Sequence, residues 1–324
     1  IVAVATVVAT YVYIQRRHLP SEGDDVRSGM FVAPADWAAT KISVRQVESV
    51  RAWKPNLLVP FEDPEQIRGE FGFIADLCRP EGSVKLLGLA TEQDVETLQP
   101  KVQTLHQNFC HKRIFCTYSI IDSAGFTEGI LVGLQALQSA FFRPNLLFLT
   151  LPEKAERHAE CGQVIVEARR TGVGVLFLGL HPKTGLGQRA VINLWMRAQP
   201  ERGWDPEAAF ENNNLDLTLL TGYRLARFWG AKLNLITVVD DAAQTDDAKA
   251  FLEEIIDVAR LPETCQPLVM VGDFEQCATD APQSDIDIMG LQPDPNFAWM
   301  LRVIDLTRSS CLFVGDSGHE SARA

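Results

Sequence analysis

The sequence has 324 residues, of which 46% are hydrophobic and 22% are charged, and its formal net charge is -12. This composition is that of a folded protein with a sizeable core, and it excludes an intrinsically disordered chain. The negative balance excludes a protein that holds nucleic acid through a broad basic surface, so nucleic acid is not among the predicted partners.

The seven cysteines are scattered, odd in number and never spaced C-x-x-C. Such spacing is neither that of a disulfide framework nor that of a structural zinc site. Most of them lie within apolar runs, where cysteine acts as a small core residue. The pattern indicates a reducing compartment.

The chain opens on an uncharged apolar run at residues 1–14, and Arg16 and Arg17 follow it. The run is shorter than the roughly 20 residues that span a bilayer, but its tyrosines and arginines lie where a membrane helix leaves on the cytoplasmic side. A signal peptide would carry its positive charge before the apolar run, and a buried strand is the other alternative. We predict that residues 1–18 are the end of a transmembrane helix.

Residues 19–54 are predicted to form a linker and a connecting helix. Pro, Ser, Glu, Gly and Asp dominate residues 19–29, as they do in exposed linkers. Between positions 34 and 50, apolar side chains recur among charged ones in an imperfect helical stripe. Pro55 ends this helix, because the residue before a proline avoids the α region.

Residues 55–182 are predicted to be a first α/β subdomain, in which short apolar runs alternate with amphipathic stretches. The runs show no polar alternation, which is typical of strands buried on both faces of a sheet. Strands are predicted at 57–61, 84–90, 114–121, 146–151 and 173–180, and helices at 64–78, 92–109, 127–142 and 153–170. The alternation predicts a wound, mostly parallel sheet, with strands 57–59 and 146–149 both buried inside it.

The pattern restarts in residues 183–324, which we predict to be a second subdomain of the same kind. Strands are predicted at 190–196, 215–220, 232–239, 267–272, 285–290 and 311–314, and helices at 223–229, 246–259 and 296–307. The polar residues 204–214 are compatible with a loop or a short helix. Patterning leaves open whether the two subdomains share one continuous sheet.

Four segments carry a resemblance to a known family. Residues 51–59 (RAWKPNLLV) and 142–149 (FRPNLLFL) both place a proline and an asparagine before a buried strand. The proline ends the preceding helix, and the asparagine favours the turn conformation that leads into the strand. Residues 214–223 (NLDLTLLTGY) supply a strand with a glycine turn, and residues 297–320 supply a final helix and strand.

Taken in order, these segments make residues 34–320 similar to the cytoplasmic carboxy-terminal domain of prokaryotic cation–chloride cotransporters. The chain departs from the family pattern at residues 214–223, where the acidic residue and the second glycine of the family's glycine turn are missing, and at Gly315, which replaces an arginine. The resemblance implies a universal-stress-protein-like α/β fold without enzymatic activity. It also implies a regulatory and dimerising role in a secondary-active Na/K/Cl symporter.

The resemblance further implies where such a domain resides. The expected setting is a multi-pass transporter of the cell membrane, with this domain on the cytoplasmic side. Its expected partners are its own transmembrane domain, the membrane through residues 1–18, and a second copy in a homodimer.

Two glycine-containing motifs resemble functional signatures. Residues 315–318 (GDSG) spell the surroundings of a serine-protease nucleophile, yet that class is a disulfide-bonded double β-barrel, and a triad is defined by geometry. Residues 185–187 (GLG) follow a strand as a phosphate loop would, but no third glycine opens a helix after them. We expect a surface turn there. Gly272 and Gly290 are single glycines and do not form the glycine-rich stretch of nucleotide-binding universal stress proteins.

Histidine and cysteine recur at helical spacing in two pairs, His106 with Cys110 and His158 with Cys161. Metal sites use such spacing, but two ligands on one helix also arise by chance. Paired carboxylates are expected at solvated ends and faces of helices; they are at 240–241, 246–247 and 253–254. We therefore assign no catalytic, cofactor-binding or metal-binding residue, and no cofactor.

Large aromatic residues lie in loop-like or polar segments; they are Trp195, Trp204, Phe210 and Trp299. Aromatic residues are enriched at the buried centres of interfaces, although they also cap sheets within one chain. Together with the resemblance, they favour a homodimer.

Two other function classes remain as alternatives. The first is a stress-protein-like, nucleotide-sensing regulatory domain of an amino-acid permease, which an ATP-binding assay would distinguish. The second is a soluble enzyme of doubly wound fold, for which the sequence offers no convergent set of acid, base and nucleophile.

Overall fold

The structure is a computed structural model that describes residues 53–91, 94–140, 142–197, 200–211 and 214–323. The predicted end of a transmembrane helix at 1–18 and the predicted connecting helix at 34–50 lie outside these residues. Each helix in the described part of the chain is too short or too polar to cross a bilayer.

In the first half of the described chain, five strands alternate with four α-helices. The elements are β1 (Asn56–Phe61), α1 (Phe71–Cys78), β2 (Ser83–Ala90), α2 (Val95–His111), β3 (Phe115–Asp122), α3 (Phe126–Ala136), β4 (Leu146–Thr150), α4 (Glu156–Arg170) and β5 (Gly174–Gly179). One turn of 3-10 helix, Pro64–Ile67, follows β1.

The described second half repeats this alternation and adds one short helix. Its elements are β6 (Val191–Met196), α5 (Pro206–Phe210), α6 (Leu215–Trp229), β7 (Lys232–Val239), α7 (Thr245–Val258), β8 (Gln266–Val271), α8 (Phe274–Asp280), β9 (Ile286–Gly290), α9 (Phe297–Thr307) and β10 (Ser310–Gly315). Short 3-10 turns lie at Pro200–Arg202 and Ala242–Gln244.

All ten strands form one sheet, in the order β3-β2-β1-β4-β5-β10-β9-β6-β7-β8. Neighbouring strands are parallel except β5 and β10, which pair antiparallel at the centre. Outward from that pair, each half has the same order of equivalent strands. The predicted α/β class with two consecutive, mostly parallel subdomains is confirmed, and the two subdomains share one continuous sheet.

Helices cover both faces of the sheet and bury a core on each. One core receives side chains from α1, α2, α5, α6 and α7. The other receives side chains from α3, α4, α8 and α9. Strands covered on both faces need apolar side chains at successive positions, which explains the uninterrupted apolar runs in the sequence.

The two strands that begin after a Pro-Asn pair are neighbours in this sheet. β1 and β4 pair parallel, with Leu57 opposite Leu146, and both strands are buried, as predicted. The Asn145 side chain joins their starts, because it accepts a hydrogen bond from the Asn56 amide at 2.8 Å and donates one to the Lys54 carbonyl at 2.8 Å. The asparagine of the repeated motif therefore ties the start of β4 to the backbone at the start of β1.

The prediction of a strand at 215–220 is wrong, because these residues form the first turns of α6. Leu215, Leu217 and Leu219 are all buried, but so are the polar residues between them, since the start of α6 is enclosed on all sides. A run that is buried all round loses its helical period and resembles a strand. Gly222 lies inside the helix rather than in a turn, and a Cβ atom there would come within 2.5 Å of the Leu194 side chain.

Several predicted boundaries also shift. The predicted helix at 64–78 is divided into a 3-10 turn and α1, and the one at 127–142 ends at Ala136. Helix α8 was not predicted; its seven residues are too few for a periodic pattern. Residues 204–214 contain the short helix α5.

Candidate functional site

The strand order reverses between β1 and β4 in the first half, and wound sheets form a crevice at the carboxyl ends of strands at such a point. The loop after β1 is held in place by a capping box. Asp63 accepts a hydrogen bond from the Glu65 amide at 3.2 Å, and the Gln66 side chain accepts from the amides of Asp63 and Glu62 at 3.5 and 3.2 Å. The box fixes where Glu62 projects.

A charged cluster lies at this edge of the sheet. Glu62 accepts hydrogen bonds from the Thr91 hydroxyl, at 2.7 Å, and from the Arg157 guanidinium. Arg157 also pairs with Glu160 at 3.3 Å, and it lies over the ring of Phe126, 4.7 Å from the centroid. The Arg157 guanidinium is therefore engaged by two carboxylates and an aromatic ring of its own chain.

Glu70 is a buried carboxyl at the same edge, only 3% exposed. It accepts a hydrogen bond from the Thr150 hydroxyl at the end of β4, at 2.8 Å. Burial raises the pKa of Glu70 to about 7, and the hydrogen bond from Thr150 offsets only part of that effect. This carboxyl therefore exchanges its proton near neutral pH. No pattern in the sequence indicated a buried glutamate there.

The equivalent edge of the second half has a small recess at the end of β9. Its apolar lining is Leu291, Trp299, Met300 and Phe313, and Gln292 and Asn296 are the polar side chains beside them. A fully buried carboxyl, Asp287, lies near the start of β9, and no feature of the sequence had singled it out.

Asp287 accepts hydrogen bonds from the Trp195 indole at 2.6 Å, from the Ser284 hydroxyl at 2.7 Å and from the Ser309 hydroxyl. Burial raises its pKa, and these hydrogen bonds counteract the rise. The network is enclosed, so its role is to hold strands together rather than to meet a ligand.

The predicted turn at 185–187 connects the two halves. Gly185 and Gly187 have positive φ angles, and the segment after them is strand β6. The Asp285 carboxylate accepts hydrogen bonds from the amides of Gln188, Ala190 and Val191 at 2.8, 2.6 and 2.9 Å. These amides are the kind of donors that a phosphate would need, and here an internal carboxylate occupies them.

Side chains from both halves form a second connection, which we call the clasp. Asp76 on α1 binds Arg189 at 2.5 Å and the Trp229 indole at 3.0 Å. Arg224 on α6 donates to the carbonyl of Leu77 at 2.7 Å and to other carbonyls at the end of α1. The positive group satisfies carbonyls that a helix end leaves unpaired.

The protease-like motif at 315–318 has another role. The Ser317 hydroxyl donates to Glu320 at 2.7 Å rather than to an imidazole, and Gly315 ends β10. Burial and the neighbouring Glu320 carboxyl raise the pKa of Asp316 to about 9. The segment holds the end of the described chain against α6, where Asp216 accepts a hydrogen bond from the Ala322 amide.

The two histidine–cysteine pairs serve the backbone. His106 Nε2 lies 3.0 Å from the Cys116 carbonyl oxygen and 3.5 Å from Cys110 Sγ. His158 Nε2 lies 3.2 Å from the Pro152 carbonyl oxygen, and Cys161 is buried. Within the described residues, no group of three or more potential ligands is arranged to hold a metal ion. Of the paired carboxylates, 246–247 lie in the first turn of α7.

The four aromatic residues that the sequence offered as interface centres pack within the chain. Trp195 is buried on Asp287, and Trp204 packs on the ring of Phe251. Phe210 is buried beneath Arg323, and Trp299 contacts both Phe274 and Phe313. All four pack against side chains of their own chain, and Trp204 and Trp299 stay half-buried, so they give no separate support for an interface and the homodimer stays a prediction.

Two family models match consecutive parts of the chain. Residues 59–186 match the first C-terminal domain of the prokaryotic cation-chloride cotransporters, and residues 187–323 match the second. No curated protein matches the chain in sequence.

Two solved structures share the fold. A crystal structure of the cytoplasmic domain of a prokaryotic cation chloride cotransporter is 36% identical, with a TM-score of 0.74, over 83% of this chain and 98% of that chain. A universal stress protein from Archaeoglobus fulgidus DSM 4304 is 12% identical, with a TM-score of 0.52, over 81% of this chain and 97% of that chain. The second likeness concerns the fold alone.

Proposed function

The chain belongs to the prokaryotic cation-chloride cotransporter family, and from this premise we propose that it is the cytoplasmic regulatory and dimerisation domain of such a transporter. The observation that carries the proposal is the 36% identity to a solved cytoplasmic domain of the family, almost all of which is covered. The proposed transporter is a secondary-active symporter of chloride with sodium or potassium. The proposed setting is a multi-pass protein of the cell membrane, to which residues 1–18 connect this domain.

We propose the division into subdomains 55–182 and 183–324, which the change from one family model to the next near residue 187 supports. A regulatory role is supported by the way in which the two halves are joined. The antiparallel pair of β5 and β10, the loop bound by Asp285 and the clasp connect them at three places. Because of these contacts, the two halves can move as one unit and thereby transmit a conformational change to the transmembrane domain.

The regulatory role is tested by chloride-dependent uptake of radioactive rubidium into liposomes that hold the complete transporter. Arg224→Ala removes the guanidinium that caps α1 from α6 and leaves the membrane part unchanged. We expect the uptake rate to change more than twofold at equal amounts of inserted protein. Arg260→Ala, at an exposed position on the second half, is the matched control. Equal rates for wild type and Arg224→Ala would contradict the regulatory role.

Dimerisation is tested separately, by analytical ultracentrifugation of the 324-residue chain in detergent between micromolar and near-millimolar concentrations. We expect the mass to approach that of two copies as the concentration rises. A single copy across the whole range would contradict dimerisation and leave the family membership untouched.

A further inference from the structure

One edge of the ten-stranded sheet has the features of a docking surface. Strand β3 lies at this edge and pairs with β2 along all eight of its residues. Its other side pairs with no strand among the described residues, and six exposed residues follow it from end to end. We call them the β3 edge surface; they are Lys112, Arg113, Phe115, Thr117, Ser119 and Asp122.

The two edges of the sheet differ in their protection. Natural proteins protect an edge with proline, lysine or a bulge, because outward-facing amides and carbonyls recruit other strands. Strand β8, at the opposite edge, has Pro267 at its second position, which removes one donor. Strand β3 contains neither proline nor lysine and pairs with β2 without a bulge. The edge of the first half is therefore open to strand pairing.

Apolar surface accompanies the open edge. Phe115 is 49% exposed and contacts Phe142, which is 41% exposed, with ring centroids 5.1 Å apart. Val132 is also exposed, on helix α3, which packs against β2 and β3. Contiguous exposed aromatic side chains are typical of binding surfaces.

The charges at the two ends of β3 are complementary to each other. Lys112 and Arg113 stand at its start and Asp122 at its end, all three exposed. None of them takes part in an ion pair with another described residue. If two copies of β3 lie antiparallel, the basic start of each strand meets the acidic end of the other. A parallel arrangement would instead bring like charges together.

We propose that the β3 edge surface is where two copies of this chain pair, with the two β3 strands antiparallel about a two-fold axis. The inference rests on the dimerisation proposed above and assigns it to a surface. The chain already uses the same geometry internally, because β5 and β10 join two parallel half-sheets by antiparallel pairing. In the dimer, two ten-stranded sheets become one.

The size of this contact sets its strength. An eight-residue strand is about 26 Å long, so the pairing buries less than the roughly 1,600 Å² of a standard stable interface. The net charge of -12 opposes it weakly, since salt screens charges beyond about 10 Å. Attachment of both copies to one membrane would raise their effective concentration and favour a contact of this size.

Charge reversal tests the proposal by sedimentation of the full chain over a range of concentrations. Arg113→Glu and Asp122→Lys each replace two attractive contacts of the dimer by repulsive ones. We expect either variant to raise the dimer dissociation constant about tenfold, and we expect the double variant to restore it. Arg260→Glu and Asp257→Lys are matched controls, since they make the same charge changes on exposed positions of the second half, and Arg260 shares the positive φ angle of Arg113.

Crosslinking gives a second measurement that does not depend on charge. A two-fold antiparallel pair that brings Lys112 opposite Asp122 also brings residue 117 opposite the same residue of the other copy, so Thr117→Cys should form a disulfide between copies. The background is Cys110→Ser, because Cys110 is the exposed thiol of the described residues. We expect oxidation to link Thr117→Cys at least tenfold faster than Val271→Cys, which lies on the opposite edge.

The outcomes separate the two proposals. A wild-type chain that stays monomeric throughout removes dimerisation and the β3 edge surface together. A wild-type dimer that the charge reversals do not weaken, or that the double variant does not restore, leaves dimerisation standing and overturns the surface. Equal crosslinking rates at the two edges would overturn it as well.

Discussion

Asn193 and Asp287 of the second half lie opposite each other on β6 and β9, where the first half has Leu58 and Leu147 on β1 and β4. These positions are equivalent, since each pair joins the third residue of one strand to the second residue of its neighbour. The first half therefore has leucines at these two positions. The second half has a row of hydrogen-bonded polar side chains there, which we call the polar row and which continues to Asn234.

The difference shows that strand order and register do not dictate the polarity of a buried position. Leucine at the centre of a sheet needs only a covered face. A buried carboxylate needs donors at fixed places, and a one-residue slip of β9 would move Asp287 to the other face and away from all of them. The polar row of the second half thus specifies its register more strictly than the leucines of the first half do.

The largest effect is expected for Asp287→Ala. The substitution leaves the Trp195 indole and the hydroxyls of Ser284 and Ser309 buried without their acceptor. We expect the free energy of unfolding in urea to fall by about 3–5 kcal/mol. Asp287→Asn keeps the shape and one acceptor, so it should cost much less. A loss below about 1 kcal/mol for Asp287→Ala would mean that the polar row adds nothing to the second half.

A second prediction concerns the titrating carboxyl of the first half. Folding raises the pKa of Glu70 from 4.5 to about 7, so the folded chain keeps a proton that the unfolded chain releases between these values. The contribution of Glu70 to the free energy of unfolding is fully present below pH 4.5. It is lost as the pH rises towards 7, and the loss is on the order of 3 kcal/mol. Glu70→Gln holds an uncharged acceptor for Thr150 at every pH.

The measurement is the difference in unfolding free energy between wild type and Glu70→Gln at pH 5 and at pH 8. We expect the unfolding free energy of Glu70→Gln, relative to that of wild type, to rise by roughly 3 kcal/mol from pH 5 to pH 8. Glu65→Gln, at an exposed position on the neighbouring 3-10 turn, is the matched control for the change from carboxyl to amide. A constant difference for Glu70→Gln would show that the carboxyl is not desolvated in the folded chain.

The alternation of strands and helices could be predicted from the sequence, because it depends on local patterns of apolar residues. β1, β2, β4 and β5 are mostly apolar runs without polar alternation, and the helices between them show a periodic stripe. The same logic failed at 215–220, where a helix buried all round has no period to detect. Seven-residue α8 was too short to recognise.

The sites could not be predicted, because their partners are far apart in the chain. Trp195 and Asp287 are 92 positions apart, and Glu62 and Arg157 are 95 apart. A glutamate at the start of a helix is usually solvated, so Glu70 gave no sign of burial. The glycines at 185 and 187 did signal a turn, but the carboxylate that binds its amides lies about a hundred residues later.

The third prediction has the smallest expected effect on the free energy of unfolding, and it tests how the two halves are joined. Gly185 and Gly187 have nearly equal positive φ angles, 51° and 49°, and differ in their surroundings. A Cβ atom at position 185 would meet nothing within 4 Å, whereas one at position 187 would lie 2.0 Å from Asp285 Oδ1. At either position, alanine destabilises the folded chain by about 1 kcal/mol, because its Cβ atom disfavours the left-handed backbone conformation. Only Gly187→Ala also displaces the carboxylate from the three amides that it binds.

We therefore expect Gly185→Ala to lower the free energy of unfolding by about 1 kcal/mol and Gly187→Ala to lower it by about 2 kcal/mol or more. Hydrogen exchange locates the effect. The amides of Gln188, Ala190 and Val191 should exchange at least several-fold faster in Gly187→Ala and at the wild-type rate in Gly185→Ala. Equal unfolding and equal exchange in the two variants would mean that Asp285 does not organise the connection. The antiparallel pair and the clasp would then be the contacts that join the halves.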